Sequence, residues 1–108
     1  MIKGFGLVVR FTLRDDQAAR DFDELIDRTA AGIRQSEPGT LAYVVHTVPD
    51  EPLVRVFYEL YADRAAFDAH EQQPHTRHFL TERDRFVTST EVTFLTAHGG
   101  KFPTETAE

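Results

Sequence analysis

The feature that most constrains this chain is a hydrophobic period that changes several times along its 108 residues. Residues 6–13 read Gly-Leu-Val-Val-Arg-Phe-Thr-Leu, with Leu7, Val9, Phe11 and Leu13 on one alternate set and Val8, Arg10 and Thr12 on the other. Successive side chains of a strand point to opposite faces, so this is a strand with one fully apolar face packed on a core. Arg14-Asp15-Asp16 ends it, and either aspartate can cap a helix. From residue 17 to about 36 the apolar positions recur at threes and fours: Ala19, Phe22, Ile26, Thr29 and Ile33, with Leu25 beside them. Asp21, Asp23, Glu24, Asp27 and Arg28 take the other side, which makes the segment an amphipathic helix. Glu37-Pro38-Gly39-Thr40 closes it, since Pro38 disfavours helix in the residue before and Gly39 tolerates a positive φ.

Residues 41–48 and 53–61 read as strands, and Pro49-Asp50-Glu51-Pro52 between them predicts the turn of a hairpin. Asp63 is placed to cap a helix over 64–70, Pro74 breaks or kinks it, and a further helical piece runs from 75 to about 86. Residues 88–97 form the fourth strand. The order β-α-β-β-α-β predicts an α+β, ferredoxin-like domain over residues 1–98, with a four-stranded antiparallel sheet and both helices on one side. Residues 99–108 are expected to be a C-terminal tail. Two helices cover one face of four strands, yet Val54, Val56, Tyr58 and Leu60 oppose Leu53, Phe57 and Tyr61 on the third strand. A sheet apolar on both faces needs a second cover, and another copy related by two-fold symmetry, a homodimer, is the simplest.

Composition narrows the chemistry. There are no cysteines, which excludes disulfides, thiolate nucleophiles, iron–sulfur clusters and cysteine-based zinc sites. No apolar run approaches the ~20 residues that span a bilayer, and Met1-Ile2-Lys3-Gly4-Phe5 lacks the regions of a signal peptide. A cytoplasmic protein without membrane association is the expectation. The formal charge of −6, with arginines interleaved among acids, disfavours nucleic acid, which needs a concentrated basic face. No Gly-rich phosphate loop, dinucleotide fingerprint or nucleophile elbow is present.

The residues able to carry chemistry gather between Tyr58 and His78. Glu59 and Tyr61 are two apart on one strand and therefore share a face. A carboxylate within an apolar strand is costly unless paired, so Glu59 is either one half of an ion pair with Arg10 or Arg55 or a base whose pKa is raised by burial. His70 follows Phe67 by three and falls on the stripe facing the sheet, and the backbone kink at Pro74 can turn His75 toward the same space. His46, on the second strand, is a further candidate, whereas His78 belongs near the surface. Each histidine alone is as well explained by a structural hydrogen bond. Glu71, His75 and His78 offer metal-ligand types, but Pro74 interrupts the spacing that would align them, and no metal site is expected.

Glu37-Pro38-Gly39-Thr40-Leu41, then Phe57-Tyr58-Glu59-Leu60-Tyr61-Ala62-Asp63, then Phe67-Asp68-Ala69-His70 and Pro74-His75 together resemble the antibiotic biosynthesis monooxygenase family over nearly the whole chain. The resemblance implies a dimeric α+β barrel with one small cavity per subunit. It also implies a monooxygenase that needs no flavin, haem or metal and lets a deprotonated aromatic quinol, phenol or polyketide react with dioxygen directly. In that scheme Glu59, Tyr61, His70 and His75 are catalytic, and Tyr58, Phe67, Phe79, His46 and Arg10 bind substrate. The same pattern also resembles an isomerase branch acting on a small phosphorylated carbonyl compound, whose proton shuttling the Glu/Tyr/His cluster could serve. A non-catalytic ligand-binding or accessory domain is a third possibility, because fold does not determine function. Haem-degrading relatives place Trp where His70 stands and an axial His where Leu80 stands; this chain has no Trp, and Leu80 cannot ligate iron.

Overall fold

A computed structural model describes residues 4–102. The elements are β1 (Phe5–Leu13), α1 (Asp16–Ser36), β2 (Thr40–Val48), β3 (Glu51–Tyr61), α2 (Arg64–Gln72), α3 (Pro74–Glu82), a 3-10 turn at Arg83–Arg85, and β4 (Val87–Thr96). The strands form one antiparallel sheet in the order β2-β3-β1-β4. This is the ferredoxin-like α+β arrangement that the order of periods predicts. Residues 1–3, on which the signal-peptide argument rests, and residues 103–108 of the expected tail lie outside the described residues. Among the described residues no helix is long and apolar enough to cross a membrane.

Local chemistry explains the boundaries. Asp15 and Asp63 each cap a helix, their carboxylates accepting 2.8 Å hydrogen bonds from the backbone N–H of Ala18 and Ala66. Gln73 is extended at φ −67, ψ 142, and Pro74 occupies the first turn of α3. A proline there surrenders no helical hydrogen bond, so the expected break becomes a clean junction between two helices. The hairpin is tighter than expected: Val48 pairs with Glu51, leaving Pro49-Asp50 as the turn, and Asp50 takes the left-handed φ of 67 that aspartate tolerates.

The core lies between the sheet and the helices. Phe11, Phe22, Phe57 and Phe79, from β1, α1, β3 and α3, form a closed aromatic cluster in which all six pairs of ring centroids lie 5.0–6.1 Å apart. Burying each such ring is worth roughly 1.5–3 kcal/mol, so this cluster ties every layer of the domain together. Register sets which residues join it. Leu7 faces Glu59 and Phe94, Val9 faces Phe57, and Tyr43 faces Glu59, which places these side chains on the helix side. Val8, Tyr58 and Val44 form the corresponding row on the opposite face.

Candidate active site

Glu59 stands in the middle of β3 with its side chain under the helices, 6% exposed. The phenol of Tyr61, which is fully buried, donates a 2.6 Å hydrogen bond to Glu59 Oε1. Burial pushes the Glu59 carboxyl up to about 7; the Tyr61 hydrogen bond works against that, and the nearby acids Glu71 and Glu37 reinforce it. Burial, followed by the charge and hydrogen bond of Glu59, drives the Tyr61 hydroxyl far above its ordinary value. Tyr61 is therefore a permanent donor, and Glu59 is the group that changes protonation state near neutral pH.

Behind this pair sits a second carboxylate. Glu37 is the C-cap residue of α1, where a negative charge meets the negative end of the helix dipole. Three groups compensate. Thr40 Oγ1 donates to Glu37 Oε1 at 2.7 Å, His70 Nδ1 lies 2.7 Å from the same oxygen, and His75 Nε2 donates to Oε2. Thr76 Oγ1 lies 3.3 Å from His70 Nδ1 and supports that ring. Burial alone would raise the Glu37 pKa, but hydrogen bonds from Thr40 and His75 and the adjacent His70 outweigh it and hold the carboxyl below its ordinary value. An ionised carboxylate only accepts, so His70 carries its proton on Nδ1 and turns Nε2 toward Glu59, 4.0 Å from Oε1.

This convergence depends on backbone placement. His70 lies on the buried stripe of α2 with Phe67. The extended Gln73 redirects the chain so that His75, at the start of α3, reaches back to α1. It fits because residue 32 is glycine: a Cβ there would lie 2.6 Å from His75 Cγ and 3.0 Å from its Cβ.

Glu59 and His70 open onto a cavity of about 400 Å³ between sheet and helices, within the ~300–1,000 Å³ typical of small-molecule sites. Phe11, Phe57, Phe67 and Phe79 supply aromatic wall, Tyr43, Thr76 and Glu71 add polar groups, and Arg64, Arg83, Val92 and Phe94 also line it. Phe94 is 60% exposed although it faces the helix side, because the helices do not cover that part of β4. An acidic hydroxyl seated beside Glu59 would find a base, a neighbouring imidazole and aromatic walls.

The structure brings Glu59, His70, Phe67 and Phe79 together at the cavity and places Tyr61 directly behind Glu59. His75 reaches the cluster through Glu37 and is absent from the cavity wall. Tyr58, His46 and Arg10, also expected at the substrate, are not brought to this cavity. They lie on the opposite face of the sheet, where the two-residue period of a strand puts them: Tyr58 alternates with Glu59, and Arg10 and His46 both pair with Val56. Arg10 donates to Glu51 at 2.8 Å, and His46 Nδ1 lies 3.2 Å from the Val56 carbonyl. Neither arginine considered as a partner of Glu59 holds it, since Arg55 makes two bonds to Asp23, at 2.9 and 3.0 Å. His78 is exposed. Among the described residues no group of three or more His, Asp or Glu side chains is disposed to hold a metal ion. Glu37 is the member of this cluster that strand and helix periods alone do not reveal; its signal is an acid at a helix C-terminus, where the dipole disfavours one.

Comparison with known proteins agrees with this architecture. The sequence signature of the antibiotic biosynthesis monooxygenase family matches residues 4–82. No protein of curated function matches the chain significantly. Among solved structures, a Caulobacter crescentus protein assigned to that family superposes with a TM-score of 0.83 at 21% identity, covering 91% of this chain and 92% of the other. SnoaB, a cofactor-independent oxygenase from Streptomyces nogalater, superposes with a TM-score of 0.77 at 23% identity, covering 91% and 96%. A Mycobacterium tuberculosis protein gives 0.81 at 24% identity, covering 90% and 97%. The match to residues 4–82, on a fold shared with these structures, shows that the chain belongs to the antibiotic biosynthesis monooxygenase family.

Proposed function

We propose that this protein is a cofactor-independent monooxygenase that oxidises a small aromatic quinol, phenol or polyketide with dioxygen, acting as a homodimer. The observation that carries this reading is Glu59, a carboxylate with a pKa of about 7 facing an aromatic-walled cavity. Near neutral pH it is basic enough to take a phenolic proton and ionised often enough to do so. The resulting phenolate is electron-rich and reacts with dioxygen at a ring carbon bearing hydrogen. Loss of water from the hydroperoxide leaves one oxygen atom as a new carbonyl, so no external reductant is consumed. His70 Nε2 faces the same space 4.0 Å from Glu59 Oε1, so a ligand hydroxyl seated between them would bridge the two, and Tyr61 keeps Glu59 in place. The likeness to SnoaB is in keeping with this chemistry.

Oxygen uptake with a panel of quinols and naphthols, in metal- and flavin-free buffer, tests the proposal. Uptake of one dioxygen per quinone formed, with one labelled oxygen atom retained in the product, is expected. Turnover that requires added metal or flavin would overturn it. A second reading, an isomerase of a small phosphorylated carbonyl compound, draws on Arg64 and Arg83 in the cavity lining. It is distinguished by deuterium exchange from solvent into such a compound without oxygen uptake. Binding of aromatic ligands with neither reaction would identify an accessory domain.

A further inference from the structure

The cavity has a cationic side that the chemistry at Glu59 does not use. Arg83, which opens the 3-10 turn after α3, lines the same cavity as Glu59. Its Nε is sealed from solvent and is the buried side-chain nitrogen or oxygen left without a hydrogen-bond partner among the described residues. The carboxylate near it, Asp84 Oδ1, is 3.8 Å away on a side chain that is 85% exposed, too far to accept the hydrogen and well screened by water. The guanidinium instead lies 5.9 Å from the ring centroid of Phe11, a member of the aromatic cluster and of the cavity wall.

Arg55 shows how this fold treats a structural arginine of low exposure. Its Nε and terminal nitrogens are all used, in two bonds to Asp23 and two to the carbonyls of Pro52 and Val54. Arg64, the other arginine at the cavity, is 3.2 Å from Asp68 and lies over the rings of Phe5 and Phe67. Of the two arginines lining the cavity, Arg83 is the one whose guanidinium has no acceptor within hydrogen-bond distance among the described residues. Its Nε is closed even to water, so a ligand in the cavity would meet the accessible part of a side chain that is 30% exposed, and the charge there has no acceptor to compete with it.

We infer that Arg83 anchors a carboxylate on the ligand of this cavity, so that the ligand is an aromatic acid held with its hydroxyl at Glu59 and its carboxylate at Arg83. The planar guanidinium fork matches a carboxylate in geometry as well as charge. This deepens the proposed function by naming a substrate class, and it rests on the cavity being the ligand site. It does not require turnover.

Anaerobic titration calorimetry of the full chain separates the two questions, because binding is measured with the oxygen chemistry silent. Hydroxynaphthoate, hydroxynaphthalene sulfonate, naphthyl phosphate and uncharged naphthol are the probes. Hydroxynaphthoate is expected to bind about tenfold or more tightly than naphthol. In Arg83→Gln that ratio falls toward unity, in Arg83→Lys it is partly retained, and in Arg64→Gln it is unchanged. Arg83→Lys keeps the stem and the charge, so it reports even where the glutamine variant folds poorly. Equal affinity for acid and neutral probes in the native protein, or an acid preference that survives Arg83→Gln, would overturn the assignment. So would transfer of the preference to Arg64, or tighter binding of the phosphate or sulfonate than of the carboxylate.

Discussion

At the scale of single residues, the two buried carboxylates contribute to stability with opposite signs. Glu59 has its pKa raised from 4.5 to about 7, so between these values the folded protein holds a proton that the unfolded chain has released. Its contribution is fully present below pH 4.5 and is lost as pH rises through about 7. Glu59→Gln is therefore expected to gain roughly 3 kcal/mol over the native protein above pH 7, a gain that vanishes near pH 4; urea unfolding at both pH values measures it. Activity goes the other way: the rate of the native enzyme should rise with pH and level off above about 7, and the glutamine variant should lose most of kcat. A variant that keeps its rate removes Glu59 from the mechanism. Glu37 is held below its ordinary value, so its contribution is present at neutral pH and is lost on acidification through the lowered pKa. Glu37→Gln takes the charge from a carboxylate that Thr40, His70 and His75 all contact, and is expected to cost about 2–3 kcal/mol near pH 7, read as a lower denaturant midpoint.

At the scale of elements, what was legible in the sequence followed from periodicity. The α1 stripe of Ala19, Phe22, Leu25, Ile26, Thr29 and Ile33 is the buried face of that helix, and the alternation of Leu7, Val9, Phe11 and Leu13 is the buried face of β1. The same alternation already separated Tyr58 from Glu59, and the strand rule outweighs the general appeal of a tyrosine beside a motif. The meeting of Glu37 with His70 and His75 was not legible, because it joins the end of α1, the end of α2 and the start of α3, and no period relates them. Only the angle set by Gln73-Pro74 and the close approach at Gly32 bring the three together. Gly32→Ala tests that geometry. Alanine is favoured over glycine within a helix by about 1 kcal/mol, so a stabilised protein would be expected were the site open. Since the added methyl would lie 2.6 Å from His75 Cγ, a net loss of roughly 1–3 kcal/mol is expected instead, together with displacement of the His75 ring resonances in NMR spectra. A gain in stability with unmoved His75 signals would show that α3 yields without cost.

At the scale of the molecule, the domain is a slab with Cα dimensions of 46 × 30 × 18 Å. The short dimension accommodates two layers, one of sheet and one of helix, since packed layers stand about 10 Å apart. The far side of the sheet thus has no third layer among the described residues. Val44, at 46% exposure, and Leu95, at 38%, lie on that side with Tyr58 and Val56, and no helix is available to cover them. The exposed Phe94 and Val92 at the cavity continue the apolar surface around the β4 edge. A second copy of the same chain, as proposed above, would supply a matching apolar face by symmetry, and a partner reaching around β4 would also shield the cavity from water. Sedimentation equilibrium at micromolar concentration should therefore return about twice the monomer mass of 12.3 kDa, and Tm should rise with protein concentration. Val44→Lys places a charge on the exposed far face, midway along the edge strand β2, and should yield a monomer that keeps its circular dichroism. Because Val44 is on the side of the sheet away from Glu59, any loss of activity in that monomer would reflect the lost cover over the cavity and not a change within it. A native protein that sediments as a monomer would mean that something other than a second copy covers this face.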